Sequence, residues 1–271
     1  MPIVDNTYFI YTVQPGDTLT AIAYRFSSSV SAIEQANALY PPITDRGLIF
    51  PGQKLVVEKD GLSMVYRIVQ GGDTLFQYAQ DYSSTVEMMY GINPQVGNPG
   101  LLYVNQPLFV PVYVYQVEEG DTLAQIAEQF GISLSSLFRA NQNRPGLSPD
   151  VIYPGYHLLI PLPSSANILV ASPKPGTIIT AGQTLSGFAR AFEGSLLYQI
   201  QDSSGGTVTS EAPIQASAGG PAFGTFSTPI QFNRTPQTSA GQLWVYARSA
   251  ADGSTIDLVK TPILFFKNQP D

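Results

Sequence analysis

The hydrophobic pattern of the first 163 residues is written three times. Each copy opens on a short extended run, at Tyr11, Arg67 and Tyr115. Apolar side chains then recur at helical spacing: Leu19, Ile22, Ala23 and Phe26; Leu75, Tyr78, Ala79 and Tyr82; Leu123, Ile126, Ala127 and Phe130. Positions i, i+3, i+4 and i+7 share one face of an α-helix. Ser29, Thr85 and Ser133 stand where a second helix needs its N-cap oxygen. Val30, Ile33 and Ala36 would be that helix's buried side in the first copy, and Leu134, Leu137 and Ala140 in the third. A β-rich run closes each copy, at Lys54, Pro107 and His157. The predicted unit is strand, helix, helix, strand, with the strands antiparallel and both helices on one face.

Gly-Asp-Thr-Leu recurs between the opening strand and the first helix, aligned on Asp17, Asp73 and Asp121. An aromatic follows each Asp by 9 residues (Phe26, Tyr82, Phe130) and an Asn by 20 (Asn37, Asn93, Asn141). Gly and Pro crowd the stretch before each closing strand, which reads as loop. The linkers are short, "EKDGLSM" and almost nothing, so the units should be stiffly arranged. After "PLPSSAN" helical spacing vanishes. Strands are predicted near 168–170, 184–189, 196–201, 207–210, 223–232, 242–249 and 256–266, separated by turns in the manner of an all-β sandwich. In "QLWVYARS", Leu243, Val245 and Ala247 would share one face, and Trp244, Tyr246 and Arg248 the other.

Charge narrows the partners. Residues 1–163 carry 7 Lys/Arg against 14 Asp/Glu, while residues 164–271 balance at 6 and 6. An acidic repeat region repels phosphate backbones, so nucleic acid is not an expected partner. The same sign disfavours anionic polymers and lipids and leaves a neutral ligand as the better fit. No run approaches the roughly 18 apolar residues of a membrane span. "MPIVDNTYFIYTV" has no basic segment leading into a long apolar run, which suits a chain made without a leader or one that begins after it. There is no Cys and only one His, His157, so Cys-, zinc- and His-dependent hydrolysis is not expected, and no cofactor or metal is implied. A glycosidase needs only two carboxylates, but the tail is too short and turn-rich for a barrel and its acidic residues show no paired spacing. The expectation is no enzyme.

The segments "YTVQPGDTLTAIAYRF", "AN" and "IFPGQKLVV", with "YQVEEGDTLAQIAEQFGISLSSLFRAN" and "IYPGYHLLIP", resemble LysM domains, βααβ modules that bind N-acetylglucosamine-containing glycans. The tail, at "SPKPGTIITAGQTLSGFARAFEGSLLYQIQDSSGG", "GTFSTPIQF" and "LWVYARSAADGS", resembles the immunoglobulin-like domain of bacterial spore-germination and envelope proteins. The fold class implied is α+β, with three tandem modules at 9–58, 64–112 and 113–163, then an all-β sandwich at 166–267. The resemblance implies a shallow sugar groove between two loops of each module. In repeat one these are Gly16, Asp17, Thr18 and Leu19 with Leu48, Ile49, Phe50 and Pro51. In repeat two they are Gly72, Asp73, Thr74 and Leu75 with Leu102, Tyr103 and Val104. In repeat three they are Gly120, Asp121, Thr122 and Leu123 with Val151, Ile152, Tyr153 and Pro154. Peptidoglycan or a chitin-type glycan is the implied partner, at the cell wall. The alternative is a structural or assembly protein of a spore coat or envelope, its tail recruiting protein partners.

Each of these residues also has a structural reading. The Asp would cap the first helix, and the Asn would end the second helix or fix the following loop. Tyr8, Phe50, Tyr103, Tyr153 and Tyr156 have the rings to stack on sugars, but core packing or plain surface exposure is the stronger reading of any one of them. Repeat two has Val104-Asn105 where the others have Pro-Gly, a more polar first helix and a shorter loop before its closing strand, so its groove is expected to contribute least. His157 reads as a surface or packing residue, and Arg190 and Glu193 as an ion pair or turn support.

Overall fold

The computed structural model describes residue 3, residues 6–61 and residues 64–266. The masked positions take in part of the N-terminal segment, two residues of the "EKDGLSM" linker and the last residue of the predicted 166–267 domain, which lie outside the described residues. Two compact units are present. One holds nearly all of residues 1–161, the other residues 162–271.

In the first unit every repeat folds as predicted. Repeat one is β1 (Thr7–Thr12), α1 (Leu19–Phe26), α2 (Val30–Ala36) and β2 (Lys54–Lys59); repeat two is β3 (Met64–Ile68), α3 (Leu75–Asp81), α4 (Val86–Gly91) and β4 (Pro107–Phe109); repeat three is β5 (Val112–Gln116), α5 (Leu123–Gln129), α6 (Leu134–Ala140) and β6 (His157–Pro161). Both strands of each repeat pair antiparallel. The apolar face of each first helix is buried, and Ser29, Thr85 and Ser133 cap the second helices through Ala32, Met88 and Ser136 N–H. Leu134 departs from expectation: it is exposed, and Leu137 and Ala140 alone carry the buried side of α6.

The repeats are fused. β1 also pairs with β3, in parallel, giving one four-stranded sheet in the order β2-β1-β3-β4. Phe9 lies opposite Tyr66 and stacks on it, so side chains level with each other across this pair share a face. Tyr11 and Val13 join Ile68 in the core under α1 and α2. Arg67, on the other face, lies over the Tyr78 ring of α3. The two helix pairs therefore cover opposite faces of the shared sheet.

Buried polar groups lock the three repeats together. Lys54 of repeat one meets Asp81 of repeat two at 3.2 Å, and Gln142 of repeat three donates to the same carboxylate at 2.6 Å. Arg144 of repeat three donates to Asn37 Oδ1 at 3.0 Å and to the Ala36 carbonyl at 3.1 Å in repeat one. It also donates to Asn141 Oδ1 at 3.1 Å and to the His157 carbonyl, and lies 4.5 Å over Tyr156. Burial holds the pKa of both Lys54 and Arg144 below the ordinary values. Asp81, Gln142 and Arg144 carry no mark in the sequence pattern.

The second unit is two sheets: β11 (Thr207–Gln215), β10 (Ser195–Asp202), β13 (Ala240–Arg248), β14 (Thr255–Phe265) and β8 (Ile178–Ile179) in one, and β12 (Gly224–Pro229), β9 (Thr184–Ala189) and β7 (Ile168–Ser172) in the other. Only the two-residue β8 was absent from the predicted set. Leu243, Val245 and Ala247 face the core between the sheets. Gly187 is required by close approach: a Cβ there would stand 2.0 Å from the Leu169 carbonyl oxygen. Arg190 donates to Asn167 at 2.8 Å and lies over Phe223, which supports the turn.

Candidate functional site

Two turns face each other at one end of each repeat. In repeat one, Asp17 N–H donates back to the Gln14 carbonyl at 3.1 Å, with Gly16 at φ +88°. Opposite it, Gln53 N–H donates to the Phe50 carbonyl at 3.1 Å, with Gly52 at φ +90°. Glycine adopts such angles without strain, and a Cβ at either position would meet nothing within 4 Å, so both turns present bare backbone to open space. Two bonds tie the turns together: Gly52 N–H to the Val13 carbonyl (2.9 Å) and Val13 N–H to the Gln53 carbonyl (2.8 Å). Repeat three repeats the pattern at 2.8 and 2.9 Å through Gly155, Val117 and Tyr156.

Repeat two keeps the same geometry without Pro-Gly. Asn105 takes the left-handed conformation at φ +70°, its N–H donates to the Val69 carbonyl at 2.9 Å, and Val69 N–H reaches the Gln106 carbonyl at 3.0 Å. Asn is the residue that best tolerates this region after Gly. The loss of Pro-Gly therefore leaves the turn geometry of this groove unchanged.

The shared aspartate is not the helix cap. Thr18, Thr74 and Thr122 are the caps, accepting N–H groups of Ala21, Gln77 and Gln125 at 3.1–3.2 Å. The aspartate turns back into its own loop. Asp17 Oδ2 accepts Gln14 N–H and the Tyr11 hydroxyl, both at 2.7 Å; Asp121 accepts Glu118 N–H at 2.8 Å and the Tyr115 hydroxyl at 2.7 Å. Burial first, and the Asp17 carboxylate second, push the Tyr11 hydroxyl up to about 12. In repeat two the strand position holds Arg67, so the hydroxyl comes from the helix: Asp73 accepts Gln70 N–H at 2.8 Å and the Tyr78 hydroxyl. The Tyr has moved to the helix position that Ile22 and Ile126 hold in the other repeats, and the staple survives.

The asparagines are structural. Asn37 Nδ2 donates to the Ile33 and Val56 carbonyls and its Oδ1 accepts Val56 N–H, all at 2.8 Å. Asn93 and Asn141 make the same three bonds within 2.8–2.9 Å. Each joins the end of the second helix to the closing strand, which sets the height of the facing turn.

The side chains of the predicted grooves divide into two sets. Leu19, Leu75 and Leu123 are buried and anchor the turns from below, and Ile49 packs against the core. Leu48, Phe50, Tyr103, Val104 and Val151 are exposed on the rims, while Leu102, Ile152 and Tyr153 are half-buried. Tyr8 and Tyr156 are core residues: Tyr8 packs edge-on to His157 at 5.8 Å, and Tyr156 donates to the Pro145 carbonyl at 3.0 Å beneath Arg144. His157 is enclosed, and burial, with the Arg144 charge second, lowers its pKa to about 4.

The LysM domain family matches residues 11–58, 68–111 and 115–161, just over half of the chain, and the immunoglobulin-like domain of bacterial spore germination matches residues 167–254. The chain is 29% identical over 201 residues to an autolysin of Enterococcus faecalis, which covers 60% of this chain and 26% of the autolysin. It is 28% identical over 182 residues to the secreted LysM effector ECP6 of Passalora fulva, covering 56% and 76% respectively. It is 36% identical over 102 residues to the putative sporulation-specific glycosylase YdhD of Bacillus subtilis, covering 36% of this chain and 22% of that protein. The chain thus spans about a quarter of the length of the autolysin and the glycosylase. Among solved structures, the spore cortex-lytic enzyme SleL of Bacillus cereus matches at 30% identity and a TM-score of 0.29, over 38% of this chain and 22% of that one.

Proposed function

The chain belongs to the LysM family, and from the geometry of its repeats we propose that it is a non-catalytic binder of N-acetylglucosamine-containing glycan, peptidoglycan first and chitin-type oligomers second. The observation that carries this reading is one open geometry built three times: two facing turns tied by backbone bonds, with apolar rims and with glycine at the left-handed position in every turn but that of Asn105. Free N–H groups at the start of the first helix and carbonyls of the facing turn suit an acetamido group. Phe50, Tyr103 and Tyr153 suit its methyl and ring faces. Within each groove Gly16, Asp17, Thr18 and Leu19, and their counterparts, supply backbone; Asp17, Asp73 and Asp121 act by holding the turn. One such groove supports roughly millimolar affinity, about −4 kcal/mol. Three on one polymer gain roughly a hundredfold or more through effective concentration. The sequence offers no Cys nucleophile, and its single histidine, His157, is enclosed. The corresponding place of action is the cell wall.

A second reading, an assembly role in a spore layer, is favoured by the match of residues 167–254 to a spore-germination domain. In that case the repeats target the protein and the tail recruits partners. The test of the first reading is co-sedimentation of the full chain with insoluble peptidoglycan, with chitin in parallel and soluble N-acetylglucosamine oligomers as competitor. Sedimentation abolished by the oligomers supports it. Failure to sediment with either polymer rejects it and turns attention to partners of the tail.

A further inference from the structure

We infer that repeats one and two carry a single extended glycan site running across the end of their shared sheet, an inference that rests on the glycan-binding reading. β1 and β3 are parallel neighbours, with Ile10 opposite Arg67. The turns that follow them, at Gly16 and Gly72, therefore leave the sheet at the same end. β2 and β4 run antiparallel to these strands, so the turns that lead into them, at Gly52 and Asn105, stand at that end as well. Strand order β2-β1-β3-β4 then places the four turns in one row. The two groove centres are two strand spacings apart, about 10 Å, a distance that an oligosaccharide bridges and a single sugar does not. Repeat three stands apart, because β5 and β6 form a separate sheet.

Side chains mark the join and both ends. Arg25, on the last turn of α1, donates to Asn105 Oδ1 at 2.8 Å and to the Tyr11 hydroxyl at 3.4 Å. Tyr11 in turn holds Asp17. A line of contacts thus runs from the Gly16 turn of repeat one to the Asn105 turn of repeat two. Arg25 is exposed, and a guanidinium with five donors has bonds to spare for sugar hydroxyl and carbonyl oxygens. Phe50 lies in the turn at the β2 end of the row and Tyr103 in the turn at the β4 end, 54% and 64% exposed. An aromatic ring thus stands at each end of the row, with a cation between.

The experiment is an NMR titration of the full chain with N-acetylglucosamine trimer and octamer, using the amides of Gly16, Gly72 and Gly120 to report each groove. With octamer, Gly16 and Gly72 should follow one common curve at least tenfold tighter than with trimer, while Gly120 follows its own. Phe50→Ala and Tyr103→Ala should each weaken the common curve about tenfold, and the double variant little further. Arg25→Ala should uncouple the two reporters. Separate curves for Gly16 and Gly72, or additive losses in the double variant, would overturn the extended site and leave glycan binding intact. No shift with either oligomer overturns both readings.

Discussion

Replacing Arg144 by Met tests whether the three repeats stand as one body. Arg144 is 5% exposed and makes four bonds, two of them to repeat one. Among the described residues no carboxylate pairs with it. Bonds from a charged donor contribute about 1.5–3 kcal/mol each, against a desolvation penalty of several kcal/mol for the guanidinium. After the substitution Asn37 and Asn141 keep their backbone partners Val56 and Leu159, but the Ala36 and His157 carbonyls lose a donor. Two stranded acceptors at about 1–3 kcal/mol each, partly offset by the relieved charge, give a net loss of about 3 kcal/mol. At about 1–3 kcal/mol per molar urea, the midpoint should fall by about 1–3 M. The fold supplies its own control. All six α-helices among the described residues lie in the repeats, whereas the single tryptophan, Trp244, lies in the tail. The far-UV helix signal should therefore move to lower urea and broaden as repeat three separates, while Trp244 fluorescence keeps its midpoint. A helix transition that stays in place, or moves to higher urea, would refute the reasoning, since the charge would then cost more than its bonds return.

Other outcomes follow from single contacts. His157 has a folded pKa of about 4 against an ordinary 6.5, so the unfolded chain binds the extra proton first; the stability this adds is complete above about pH 6.5 and is lost as pH falls to about 4, by about 3 kcal/mol. Urea midpoints measured across that range should show this slope in the native chain and lose it in His157→Phe. Asp121→Ala strands the Tyr115 hydroxyl and Glu118 N–H, and should cost about 1–3 kcal/mol by thermal unfolding and weaken glycan binding at the Gly120 amide. Asn105→Gly and Asn105→Ala both take the Asn105 side chain from Arg25, but only Ala resists φ +70°, so the Ala variant should be less stable than the Gly variant by about 1–2 kcal/mol; equal effects would deny the turn its role.

The secondary structure was legible because each repeat agrees with itself at every level. Helical spacing, N-cap serines and threonines and terminal turns all name the same boundaries, and three copies in register exclude accident. The aspartate was misassigned because a Gly-Asp-Thr sequence offers two capping oxygens in succession. Only the geometry shows Thr18 on the helix and Asp17 turned toward Tyr11. Repeat two looked defective because Val-Asn replaces Pro-Gly, yet Asn reaches the same backbone angle. Fusion of the repeats left no local trace: Arg144 sits in a proline- and glycine-rich loop, and its partners in repeat one lie more than 100 residues away. Which of the five candidate aromatics would be buried was not legible either: Tyr8 and Tyr156 enter the core and Phe50 and Tyr103 do not, a division set by packing that no periodicity encodes.

The parallel pairing of β1 with β3 also limits how the chain can be divided. Cut at the end of repeat one, β1 loses its neighbour and becomes an open edge, a template for pairing with other copies. Lys54 loses Asp81 and Asn37 loses Arg144 in the same stroke. The units that recur in sequence are therefore not the units that survive alone, and a single repeat excised at its pattern boundaries is expected to self-associate where the intact trio stays discrete.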